Sequence, residues 1–66
     1  MFNEIDEICI NKTYSQIIDE IVYQVVKNGE TLGGTICSTM ITHAINKDKD
    51  KSYDQITIEV RNILLS

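Results

Sequence analysis

Residues 51–60 read KSYDQITIEV, and the way they fold decides the class of the whole chain. Ile56, Ile58 and Val60 alternate with Thr57, Glu59 and Arg61, which is the period of a half-buried strand. The same stretch carries a second pattern. Tyr53, Ile56, Val60, Ile63 and Leu64 fall on one stripe of a helix. Ser52, with Gln55 three residues on, has the signature of a capping box. A lone strand near the end of the chain needs a pairing partner, and no other stretch reads as one. The expectation for 52–65 is therefore a helix. Ile58 and Leu65 then face away from its main stripe, so the helix is apolar on two sides, as suits an element between two packing partners.

A similar stretch lies thirty-nine positions earlier, KTYSQIIDEI at 12–21. Aligning 12–26 with 51–65 leaves five identities: Lys, Tyr, Gln, Ile and Glu. Most of the similarity sits in the first turn, where capping chemistry restricts the choice. Convergence on a good helix start explains it more simply than duplication. Tyr14, Ile17, Ile18, Ile21, Val22 and Val25 make one apolar stripe. Thr13 is the N-cap, Gln16 completes its box, and Asn28-Gly29 supplies a left-handed close. These signals predict a helix over 13–28. Tyr23 and Val26 lie off the stripe and extend a contact face.

Between the two copies runs ETLGGTICSTMITHAINK, residues 30–47. Leu32, Ile36, Cys37, Met40, Ile41, Ala44 and Ile45 gather on one broad helical face, so a third helix is expected over 31–46 with Thr31 as its N-cap. Two glycines in a first turn cost roughly 1 kcal/mol each. The expected compensation is close approach of another backbone at Gly33. The opposite face holds Gly34, Thr35, Ser38, Thr39 and Thr42, and from Thr31 to Asn46 there is no Asp, Glu, Lys or Arg. An exposed helix ordinarily carries charge on its outer side. This one is expected to be covered on both sides, its hydroxyls bonding back to the preceding turn. At the front, Phe2, Ile5, Ile8 and Cys9 suggest a short helix capped by Asn3, with the acids at 4, 6 and 7 as its solvated start. KDKDK at 47–51 reads as a solvated linker.

The class is thus all-α: one domain over 1–66, three main helices and a short N-terminal one in a small bundle. Sixty-six residues bury a modest core, and a core of this size seldom supplies more than about 3–5 kcal/mol. Small size and a charge-free middle helix together point to a bundle completed by self-association, most simply a dimer with 31–46 at its centre.

Net charge is −4, with six basic residues against ten acids. Phosphate backbones require clustered Lys and Arg, so nucleic acid is a poor partner. The acidic start does not resemble a secretory signal, no apolar run approaches the roughly 20 residues of a membrane span, and a cytoplasmic protein with reduced Cys9 and Cys37 is expected. The two cysteines lack CxxC spacing and His43 is the single histidine, so no metal set and no cofactor motif is present. His43 and Cys37 are six apart on one helix and do not meet within a chain. No acid, base and nucleophile can be placed together, and no enzyme is expected.

Three functions remain. The leading one is a small acidic interaction or inhibitor module that binds another protein, as a homo-oligomer. The second is a small-ligand binder with a nucleotide or anion pocket at the Gly33-Gly34 helix start between subunits, since exposed N–H groups there favour anions. Its candidate face is Gly33, Gly34, Thr35, Ser38, Thr39 and Thr42, with Tyr14 and Tyr53 as candidate flanking rings. The third is a helix-turn-helix regulator, although the would-be reading face lacks Arg, Lys and Gln.

Overall fold

The computed structural model describes residues 4–66. Phe2 and Asn3, expected to belong to the first helix, lie outside them. Four helices follow in order: α1 (Glu4–Ile10), α2 (Tyr14–Asn28), α3 (Thr35–Lys47) and α4 (Tyr53–Leu65). No strand occurs among the described residues. The conflict over 51–60 is resolved in favour of helix, and the cap is the physical reason. Ser52 Oγ accepts from the Gln55 N–H at 3.2 Å, and Gln55 Oε1 accepts from the Ser52 N–H at 2.8 Å. Thr13 and Gln16 build the same reciprocal pair at the start of α2. Both boxes satisfy N–H groups that no helical carbonyl can reach.

α2 closes at Gly29, which takes φ 69°, a left-handed conformation that costs glycine little. The Glu30 N–H then returns to the Gln24 carbonyl at 3.1 Å, the six-residue return of a Schellman-type close. Ile17, Ile18 and Ile21 on the expected stripe are buried, and Tyr14, Val22 and Val25 pack at its margins.

α3 is the central element and packs against α1, α2 and α4. Cys37, Met40, Ile41 and Ala44 are fully buried on it. Cys9, Ile56 and Val60 complete the same cluster from α1 and α4. This position explains the missing charge: three neighbours within one chain cover most of the helix. Cover by a second subunit is not needed to account for it.

Two expectations for this region are corrected. α3 begins at Thr35 with Gly34 as its N-cap, three residues later than the expected cap at Thr31, and that cap makes no side-chain bond. Residues 31–34 form a turn instead, closed by the Gly34 N–H donating to the Thr31 carbonyl at 3.0 Å. Paired glycines are poor helix starters, and the turn is the alternative they favour. The expected approach of another backbone at Gly33 is not found, and the crowding that does occur is local to the turn, at Gly34. A Cβ at Gly34 would lie 2.8 Å from Thr31 Oγ1, whereas Gly33 has no such neighbour within 4 Å.

Candidate functional site

The hydroxyl face of α3 behaves locally as expected. Thr39 Oγ1 donates to the Thr35 carbonyl at 2.8 Å and Thr42 Oγ1 to the Ser38 carbonyl at 3.0 Å. Thr35 and Thr42 are exposed, while Gly34, Ser38 and Thr39 are half-buried. Part of that cover comes from α4, because Tyr53 Oη donates to Ser38 Oγ at 2.9 Å. The face is thus shared between water and the chain's own fourth helix. Its outer side offers Thr and Asn and no cation before Lys47.

The two tyrosines open their helices in matching positions but serve different contacts. Tyr14 Oη donates to Glu59 Oε1 at 2.9 Å, tying the start of α2 to the middle of α4. Lys51 Nζ donates to the other Glu59 oxygen and stands 4.9 Å from the centre of the Tyr14 ring, within cation–π range. The Lys51 ammonium, with help from the Tyr14 hydroxyl and against partial burial, holds the Glu59 carboxyl below the usual carboxylate range. The same hydrogen bond raises Lys51 above its ordinary value. Burial, followed by the Glu59 contact, raises Tyr14. The two rings therefore do not flank one slot: Tyr14 is occupied by this network, and Tyr53 lines a cleft.

That cleft, about 430 Å³, lies between the 31–34 turn and α4. Leu32 and Gly33 form its turn side, and Tyr53, Asp54, Thr57, Ile58 and Arg61 form its α4 side. Gly33 is the only member of the candidate hydroxyl face that reaches it. Gly34, Thr35, Ser38, Thr39 and Thr42 do not line it. Ile58 is 54% exposed here, and beyond the cleft Leu65 is 85% exposed. This is the second apolar side expected of α4.

A further apolar surface lies on α2. Tyr23 and Val26 are 51% and 60% exposed. They follow the exposed Asp19 at offsets of four and seven residues, so the three lie on one line of the helix.

The remaining polar groups hold α1 in place. His43 Nε2 lies 2.6 Å from Asp6 Oδ1, and Lys47 Nζ donates to the Ile10 carbonyl at 2.9 Å. Two readings change as a result. Asp6 is half-buried, not part of a solvated helix start. Both end lysines of 47–51 make contacts, so the segment is more than a wet linker. His43 is turned toward α1 and away from Cys37, which is sealed in the core. Burial pushes both thiols up, helped at Cys9 by Glu20 and Asp6 and at Cys37 by Glu30. Both stay protonated and free. No group of three or more His, Cys, Asp or Glu able to hold a metal occurs among the described residues. No helix there is long and apolar enough to cross a membrane.

No family model, no curated protein and no solved structure matches this chain. The functional reading therefore rests on the chemistry of these surfaces.

Proposed function

We propose that the protein is a small acidic interaction module of a reducing, cytoplasmic setting, which acts by binding the basic face of another protein. One observation carries the reading: Tyr23 and Val26 stand exposed in line with Asp19 on the outer side of α2. Tyrosine in an exposed apolar patch is the type of side chain that anchors protein interfaces. An acid beside it, on a chain of net charge −4, favours a cationic partner and repels an anionic one. Occupying a basic surface blocks whatever else that surface binds, which is how such a module inhibits.

The test is capture from a host lysate treated with nuclease, using the wild type and the double variant Tyr23→Ser/Val26→Ser. The expected result is a discrete partner that the wild type retains, the variant loses, and added salt releases. Identical capture by both proteins refutes the reading.

A second reading draws on the cleft. Its volume falls within the usual range for ligand pockets, about 300–1,000 Å³, and Arg61, Tyr53 and the unobstructed Gly33 line it. A small anion with an aromatic ring would suit Arg61 and Tyr53, and Asp54 opposes it. Thermal stabilisation by a nucleotide panel distinguishes the two readings, since a ligand at 100 times its dissociation constant adds about 2.7 kcal/mol.

A further inference from the structure

The cleft side of α4 has a charge pattern that the α2 face lacks. Asp54, Ile58 and Arg61 line it together, at offsets of zero, four and seven residues on one helix. Seven residues return a helix to nearly the same angular position, about 10.5 Å further along its axis. Asp54 and Arg61 are thus too far apart in sequence to form the three- or four-residue pair that helices use. Neither is joined in an ion pair among the described residues, and both are exposed. Arg61 is also the one arginine of the chain. Between the two charges stands Ile58, more than half exposed.

We propose that this face binds a second copy of the chain through antiparallel pairing of the two α4 helices. A two-fold axis passing between Thr57 and Ile58 lies at the midpoint of Asp54 and Arg61. It brings Asp54 of each copy opposite Arg61 of the other and packs the two Ile58 side chains against each other at the centre. The surface is self-complementary, as a two-fold interface must be: one acid, one apolar contact and one base in a row meet the same row reversed. A parallel pairing would set Asp54 against Asp54 and Arg61 against Arg61, so charge selects the antiparallel arrangement. Leu32 and Tyr53, on either margin of the cleft, flank the central isoleucines. The contact runs along one helix of thirteen residues, less than the roughly 800 Å² per partner of a standard interface, so the dimer is reversible and concentration-dependent. This surface is separate from α2, and the proposal does not depend on the hetero-partner reading.

The test is molecular mass in solution by sedimentation equilibrium for the wild type, Asp54→Lys, Arg61→Glu and an equimolar mixture of the two variants, each checked for helix content by circular dichroism. Either single reversal turns both ion pairs into like-charge contacts, so each variant alone should associate at least about tenfold more weakly than the wild type. In the mixture every facing pair is opposite again, and association should return. High salt should weaken the wild-type dimer. If one variant fails to fold, the other alone still decides whether reversal weakens association. A wild type that stays at the mass of one chain up to millimolar concentration overturns the proposal, as do variants that associate as the wild type does. A folded mixture that stays monomeric overturns the antiparallel register. None of these outcomes bears on capture by the α2 face, so failure here and failure there are distinguishable.

Discussion

The Tyr14–Glu59–Lys51 network provides the sharpest test of how the two capped helices are joined. The perturbation is a double-mutant cycle on Tyr14→Phe and Glu59→Gln, which isolates the pair from what each residue does separately. A hydrogen bond to a charged group contributes about 1.5–3 kcal/mol when shielded. The Glu59 side chain is 37% exposed, and screening by water reduces the expected coupling to about 1 kcal/mol. For a chain of this size that corresponds to roughly 4–8 °C in melting temperature. The pH dependence has a definite sign. The folded pKa of Glu59 lies below its unfolded value, so its stabilisation is complete above about pH 4.3 and is lost as the pH falls through the folded pKa. Tyr14 and Lys51 are raised, so their share is complete below about pH 10 and is lost as the pH rises through their folded values. Urea denaturation of the four proteins at pH 7, repeated in acid, reads both effects. Coupling within about 0.3 kcal/mol of zero, or an acid profile of Glu59→Gln parallel to the wild type, refutes the reasoning.

Three further outcomes follow from the fold. Gly29→Ala should lose about 1–2 kcal/mol, because a side chain at left-handed φ strains the backbone. Gly33→Ala, with open space and no positive φ, should gain about 0.4–1 kcal/mol; urea midpoints moving the same way for both would contradict this. Met40→Ala empties a fully buried site at a cost of about 2–5 kcal/mol, comparable with the whole stability of so small a core. Circular dichroism should find it largely unfolded at room temperature, and a native spectrum would mean that the core collapses around the gap. The buried, protonated thiols of Cys9 and Cys37 should react with a thiol reagent far more slowly in the native protein than in urea, and a full reaction within mixing time would show that the core is not closed around them.

Much of the fold was legible because its signals are local. Both capping boxes, the Gly29 close and the stripe from Ile17 to Ile21 depend on residues within one or two turns of each other, and the structure keeps them. The late start of α3 was harder to see, because Thr31 also looks like a cap. Only the geometry of the turn shows its oxygens crowding Gly34. The missing charge of α3 was visible, but its cause was not: a sequence cannot distinguish cover by neighbours in the chain from cover by another subunit. Gln24 illustrates the same limit. It is buried on α2 with its side-chain oxygen accepting from Asn28 Nδ2 at 2.9 Å, and no apolar stripe predicts it. The cleft joins Leu32 and Gly33 to α4 across some twenty residues, and only the tertiary fold brings them together. The wheel set Ile58 and Leu65 off the main stripe, but as a side packed against a second partner, whereas the structure leaves both exposed.

The grip of α3 on α1 has a consequence for how the molecule comes apart. Seven residues are too few for a helix to persist alone, and α1 has no cation in its own last turn. Lys47 supplies one from another helix at the negative end of the α1 dipole, one turn beyond His43, which holds the opposite end through Asp6. The first helix is therefore a latch whose two polar fastenings belong to its neighbour, beside the apolar hold of Cys9 in the core. Its contacts run mainly to α3, so its order is expected to depend on that helix and to be the first part of the molecule lost.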